Sequence, residues 1–209
     1  MFIQRETTAS FDVDCQKGFT PICPDELPVP EGDTIVDELN KTANLVKYRV
    51  GSKDVHPSNA IWIANQNHPQ FEHISGENVD VRWNAHCMSG TVGAELLDGL
   101  PKVSEYDFFV FKGIEPDLHP YSAVYHDLKK RMSTGVIEWL LDRGVLTVIV
   151  QGLALDYCVF QTAIDLLPHF NVIVNKSATK SIGDFDDTVK ILESKGVKFV
   201  ENANEIISE

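Results

Sequence analysis

Short runs rich in Val, Ile and Phe recur along the chain, separated by stretches whose apolar residues have helical spacing. This alternation constrains the fold more than any other feature. The runs lie near ASFDVD, NAIWIAN, YDFFVFK, VLTVIVQ, NVIVNK and VKFVE, each bounded by polar or turn-forming residues, as buried strands are. Between them, Ile35, Val36, Leu39, Ala43 and Val46 share one helical face of GDTIVDELNKTANLVKY. TGVIEWLLDRG closes on Gly144. DFDDTVKILESKG opens on acids and closes on Lys195 and Gly196, matching the helix dipole. The alternation implies crossover units and therefore an α/β fold of three layers, α/β/α: a mostly parallel six-stranded sheet with helices on both faces. The region from about Arg49 to Gly99 holds His, Pro, Asn and Gly but few long patterns. It reads as the long loop region that carries the site.

A chain of 209 residues can form one domain, spanning 1–209, with a sizeable core. Its net charge of −13 argues against nucleic acid or an anionic membrane as partner, and a small molecule is expected instead. A homo-oligomer stays open. No apolar run approaches the roughly 18 residues of a membrane span. The stretch MFIQRETTASFDVD lacks the apolar centre of a signal peptide. Cys15, Cys23, Cys87 and Cys158 form no CxxC pair and no disulfide-scaffold spacing, so a reducing cytoplasm is the expected location.

Cys158 stands out among these. It follows the apolar run VLTVIVQG and opens the helical pattern DYCVFQTAIDLL. Ligands of such folds sit at the carboxyl ends of the parallel strands. With Asp156 as cap, Cys158 falls in the first helical turn, where free N–H groups and the dipole favour a thiolate. The plainer reading is a small buried side chain. A thiolate also needs an acid/base partner and donors for an oxyanion. In FDVDCQKGF, Asp12 and Asp14 alternate with Phe11 and Val13 and so point to one face. Asp14, nearer the strand end, is the catalytic candidate, and Asp12 a cap or loop anchor. Lys112 sits at the end of YDFFVFKG, where the competing reading is a lysine reaching for water.

These motifs carry a resemblance. DCQKGF (Asp14–Phe19), HCMSGTVGA (His86–Ala94), FKG (Phe111–Gly113), YSA (Tyr121–Ala123) and GLALDYCVFQTA resemble the nicotinamidase branch of the isochorismatase-like cysteine hydrolase family. The resemblance covers about Ser10 to Val200. It implies a Cys158–Asp14–Lys112 triad and a cis peptide before Ala154. It also implies an oxyanion hole built from the Ala154 and Cys158 N–H groups, and a pocket lined by Phe19 and Trp83, with Tyr121 a further lining candidate. Cys15, Cys23 and Cys87 read as structural. The implied activity is hydrolysis of nicotinamide to nicotinate and ammonia through a thioester on Cys158, in salvage of NAD, with pyrazinamide as a second substrate.

The same family holds a divalent metal, zinc, iron or manganese, on a D-x-H pair and the histidine of the HC motif. NQNHPQFEHIS and WNAHCMSG resemble that loop. The match carries over to His68 and His86, with His73 as a further ligand. Gln66 then stands where the family has aspartate, and a neutral carboxamide is the weaker ligand. Gln66 therefore leaves a second class open: a relative acting without metal on another amide or an N-carbamoyl or ureido compound. A binding or scaffold protein without activity is the third, opposed by the set of Asp14, Lys112 and Cys158.

Overall fold

The computed structural model describes residues 1–209. The chain forms β1 (Phe2–Ile3), β2 (Thr8–Val13), α1 (Val36–Asn44), β3 (Tyr48–Asp54), β4 (Phe108–Lys112), α2 (Val136–Asp142), β5 (Thr147–Leu153), α3 (Phe160–Leu166), β6 (Asn171–Lys180), α4 (Phe185–Ser194), β7 (Lys198–Val200) and β8 (Ile207–Ser208). Six of these strands make one all-parallel sheet in the order β4–β3–β2–β5–β6–β7; β1 and β8 pair separately. The chain winds outward from β2 to β4, then crosses back to β5 and winds outward to β7. The reversal falls between β2 and β5, the place where a doubly wound sheet opens a crevice at its carboxyl edge.

One face of the sheet is covered by α2, α3 and α4. Their Val136, Leu140, Ala163, Leu166, Val189 and Leu192 pack on Phe11, Val13, Val148, Val150, Val172 and Val174. The opposite face carries α1 and a smaller cluster of Ile3, Val46, Ile149, Ile173, Val200 and Ile206. Hydrophobic burial on both faces explains why β5 and β6 read as nearly continuous apolar runs.

Two expectations about the elements need correction. NAIWIAN is not a strand. Ala60 and Trp62 are buried in a loop, and Ile63 makes a single bridge to Trp83. The sixth strand is β3, YRVGSKD, at the start of the segment expected to be irregular. Its polarity conceals it: Arg49, Ser52 and Asp54 are partnered by Asp12, Asp14 and Lys112, so a buried strand is spelled with polar letters.

The helix after β5 also begins differently. Ala154, not Asp156, is its N-cap, and a π-helical turn over Leu155–Val159 precedes α3. Asp156 is already inside that turn and accepts from the Ile182 and Gly183 N–H groups at 3.1 and 2.7 Å, tying down the loop after β6. β5 meets β2 closely here. Gly152 has φ +115°, and a Cβ on it would stand 2.1 Å from the Val13 carbonyl oxygen. Only glycine lets the ends of β2 and β5 come together.

On the opposite face, α1 is fastened by Glu38. Its carboxylate accepts from the Ala203 N–H, from Asn175 Nδ2 at 3.3 Å and from Lys41 Nζ at 3.3 Å. Burial works to raise its pKa, but these donors outweigh it and the carboxyl titrates below its ordinary value. A lowered carboxyl pKa contributes stability above the unfolded value, about 4.3, and loses it as pH falls through the folded value. Glu38→Gln is therefore expected to lower the urea midpoint at pH 7, with the gap to wild type closing below about pH 4. A gap independent of pH would contradict this account.

Candidate active site

Four reactive side chains, an ammonium, two carboxylates and a thiol, stand in a row along the carboxyl edge of the sheet at the ends of four adjacent strands. Lys112 ends β4, Asp54 ends β3, Asp14 follows β2, and Cys158 lies in the turn after β5. The row is buried throughout: Lys112 and Asp14 are 0% exposed, Asp54 2% and Cys158 7%. Lys112 Nζ lies 2.6 Å from Asp54 Oδ1 and 3.0 Å from Asp14 Oδ2. It also donates to the Pro120 carbonyl at 3.2 Å and reaches Cys158 Sγ at 3.8 Å. The sulphur and one carboxylate oxygen each of Asp14 and Asp54 lie within 4.8 Å of one another. The structure thus brings together Asp14, Lys112 and Cys158, and adds Asp54.

Local structure explains how each is aimed. Asp14 has φ +48°, which takes it out of the strand alternation. Asp12 and Asp14 therefore do not share a face. Asp12 meets Arg49, Tyr106 and Gln151, whereas Asp14 accepts from Ser52 Oγ at 2.7 Å and pairs with Lys112. Gln16 joins the ends of β2 and β3: its Nε2 donates to the Asp54 carbonyl, and the Asp54 N–H donates to its Oε1. The Leu153–Ala154 peptide is cis, and Ala154 and Cys158 line the same cavity.

The electrostatics follow from burial and this crowding. Burial pushes the Cys158 thiol well up, the Lys112 ammonium works against it, and both carboxylates reinforce it. The resting group is a thiol, not the thiolate its helical position alone would favour. Burial also raises Asp14, opposed by Lys112 and helped by Asp54. For Asp54, burial acts upward but Lys112 and His56 hold it well below the usual range. Burial disfavours the charge on Lys112, yet the two carboxylates keep it charged far above neutrality.

Next to Asp54 lies a cluster of His56, His86 and His119, all buried, with one ring nitrogen of each within 4.8 Å of the others. His56 Nδ1 bonds the Gly113 carbonyl at 2.9 Å, which directs Nε2 to within 3.4 Å of Asp54 Oδ2; that Nε2 has no hydrogen-bond partner. His86 Nδ1 bonds the Asn84 carbonyl at 2.6 Å. Burial, aided by His56, pushes His86 down to about 3, so the ring is neutral, the form that binds a metal. A neighbouring carboxylate, backbone carbonyls fixing the outer nitrogens and an orphaned inner nitrogen fit a divalent cation. The glycine of FKG belongs to this arrangement: Gly113 has φ +67°, and a Cβ there would stand 2.3 Å from His56 Cε1.

The metal set expected from the sequence is corrected accordingly. Only His86 of that set is in the cluster. Gln66, His68 and His73 are all exposed, and His68 instead bonds Glu72 at 2.9 Å. They belong to a surface loop beyond the end of β3, so their side chains do not face the sheet edge. The D-x-H pair is Asp54–Val55–His56, directly at the end of β3. That spacing was readable; the misassigned strand hid it. His119, from the HPYSA stretch, carried no comparable signal.

A small cavity, partly open to solvent, adjoins this row. Phe19, Trp83 and Tyr121, the expected lining residues, are joined by Leu27, Tyr157 and Ile182, with Asp54, His86, His119, Ala154 and Cys158 also in its wall. Trp83 Nε1 donates to the Tyr121 hydroxyl at 3.2 Å, which donates to Asp80 at 2.7 Å, fixing both rings. The Trp83 and Tyr157 rings meet edge to face at 4.9 Å.

A doubly wound parallel sheet with a thiol, a carboxylate and an ammonium at its switch point defines a cysteine hydrolase of the α/β class. The chain belongs to the isochorismatase family: the Isochorismatase domain matches residues 8–199. It is 34% identical over 166 residues to a nicotinamidase of Acinetobacter baylyi, covering 78% of this chain and 75% of that protein. Among solved structures it resembles an Acinetobacter baumanii nicotinamidase/pyrazinamidase, with TM-score 0.86 and 30% identity over 97% of this chain and 99% of the other. It also resembles a Pyrococcus horikoshii pyrazinamidase in complex with zinc, with TM-score 0.75 and 30% identity over 93% and 98%. No helix is long and apolar enough to cross a membrane.

Replacing Lys112 by Met leaves two buried carboxylates without their shared cation. Breaking a buried pair from one side costs about 3–5 kcal/mol, so urea denaturation of Lys112→Met at pH 7 is expected to show a loss of that size. A loss below about 1 kcal/mol, the scale of an exposed pair, would mean that the carboxylates do not depend on this ammonium.

Proposed function

We propose that this chain hydrolyses nicotinamide to nicotinate and ammonia, with pyrazinamide as a second substrate. The observation that carries the reading is the shared cavity: Cys158, the aromatic walls and His86 of the histidine cluster all line one small space. A flat heteroaromatic ring suits the Trp83 and Phe19 walls, with its carboxamide toward Cys158 and its ring nitrogen toward the histidines. The nicotinamidase name of the Acinetobacter baylyi relative supports the same substrate.

In this reading Asp14 takes the Cys158 proton and the sulphur attacks the amide carbon. The Ala154 and Cys158 backbone N–H groups hold the oxyanion. Asp14 returns a proton to the nitrogen as the C–N bond breaks and ammonia leaves. Asp14 then takes a proton from water as the water oxygen attacks the thioester carbon; the C–S bond breaks, the acid is freed, and Asp14 passes the proton to the departing sulphur to restore the thiol. Lys112 keeps its charge throughout and steadies the carboxylate and the developing thiolate.

A divalent metal, zinc, iron or manganese, would be held by Asp54, His56 and His86, where it would supply a Lewis-acid contact for the ring nitrogen. That the Pyrococcus horikoshii pyrazinamidase this chain resembles is in complex with zinc supports a bound divalent metal. Gln66, which had favoured a metal-independent amide or carbamoyl hydrolase, is exposed and distant from the role assigned to it, so that alternative loses its motive. We read residues 1–209 as one catalytic domain at work in a reducing cytoplasm, where all four free cysteines, Cys158 above all, stay thiols.

The test is ammonia release from nicotinamide by purified, metal-supplied protein beside Cys158→Ala. Loss of the nucleophile is expected to lower kcat by roughly 10³-fold or more. Folded, metal-supplied protein that releases no ammonia would overturn the substrate. Undiminished release by Cys158→Ala would overturn the mechanism. Chelation is expected to raise KM for nicotinamide, and zinc, iron or manganese to restore it; a KM indifferent to chelation would remove the metal from substrate binding.

A further inference from the structure

The Asp54–His56–His86 reading accounts for two of the three clustered histidines and leaves His119 unused. His119 is 5% exposed, and neither of its ring nitrogens has a hydrogen-bond partner. An imidazole in that state has lost its water and gained nothing polar in return, a costly arrangement that needs an explanation. Its immediate neighbours do not supply one. Trp62 packs edge-on at 4.5 Å, but its Nε1 already donates to the Leu118 carbonyl. Trp83 lies nearly parallel to it at 5.9 Å and spends its Nε1 on Tyr121.

What does face His119 is the metal cluster. Its ring stacks on His56 at 5.4 Å and 17° and meets His86 edge to face at 5.7 Å. One nitrogen from each of the three rings lies within 4.8 Å of the others. Ligand atoms about 2.1 Å from one zinc ion stand roughly 3–4 Å apart, so closure needs only small side-chain rotations. The backbone supports such a position: the His119 N–H donates to the Asn78 carbonyl at 2.9 Å, and Pro120 follows immediately, its carbonyl on Lys112.

We propose that His119 is a fourth protein ligand of the metal, completing a set of three imidazoles and one carboxylate. The proposal rests on the metal reading of Asp54, His56 and His86 and goes beyond it in donor number and metal preference. A nitrogen-rich set favours zinc or ferrous iron over manganese or magnesium, which prefer oxygen. Zinc can expand beyond four neighbours, so a fourth protein ligand is compatible with a contact to the ring nitrogen of the substrate.

The test is zinc affinity by chelator competition on purified, metal-stripped protein, for wild type, His119→Ala, His119→Asn and His86→Ala, with circular-dichroism melts to establish folding. Changes in groups that only orient a ligand cost 10–100-fold in metal affinity. His119→Ala and His119→Asn are expected to weaken zinc by roughly 100-fold, comparably to His86→Ala. Unchanged affinity in both His119 variants, with His86→Ala weakened, would overturn the fourth ligand and leave the three-residue site standing. A wild type that binds no zinc would overturn the metal site as a whole, and His119 with it. X-ray absorption of zinc-loaded wild type decides the matter without any variant: three imidazoles in the first shell are expected, and two would overturn the proposal.

Discussion

Lys112 is a fully buried ammonium, and the active end of this molecule is organised around it. An isolated charge in such a place would cost several kcal/mol. It is held because the ends of three neighbouring strands converge on it: its own β4, β3 with Asp54, and β2 with Asp14. A lysine on the edge strand β4 reaches across β3 because its stem is long, and its ammonium is met there by the Pro120 carbonyl. Gln16 holds the ends of β2 and β3 in step, and Gly152 lets β5 bring Cys158 close enough to join them. The parallel topology accounts for the convergence, since only the carboxyl edge of a doubly wound sheet presents four strand ends on one side.

The apolar strands, the helices and the three side chains Asp14, Lys112 and Cys158 were legible because each follows from a local rule. Buried parallel strands read as runs of Val and Ile, and reactive groups just past them stand out. β3 broke the rule. In YRVGSKD the side chains that a buried strand should make apolar are polar and are matched by partners from β2 and β4, partners distant in sequence. NAIWIAN, with its Trp62 buried in a loop, took its place by hydropathy alone. From that one exchange the metal assignment followed astray. The polar spelling of β3 hides its end, and with it the D-x-H pair Asp54–Val55–His56, so Gln66 and His68, a dozen or so residues downstream, resemble that pair in its place. Likewise Asp12 and Asp14 would share a face in an uninterrupted strand, but the positive φ of Asp14 is invisible to a period-two reading. His119 could not have been found this way, because its neighbours come from three separate segments.

Two carboxylates share one ammonium in this site, and their environments divide them. Asp54 has Lys112 at 2.6 Å and His56 beside it, and it stays ionised far below its ordinary range. Asp14, equally buried and further from the ammonium, is raised, partly by the negative charge of Asp54. Pairs of groups pushed apart in this way mark which one moves protons and which one stays charged. Asp54 is the fixed anion, fit to face a cation on its other oxygen. Asp14, raised by burial, is the carboxylate better suited to take up a proton, and the Cys158 thiol, itself held protonated by burial, lies within the same buried group. The division of labour arises from what each acid faces: Lys112 and His56 both stand against Asp54, whereas burial and the charge of Asp54 outweigh Lys112 at Asp14.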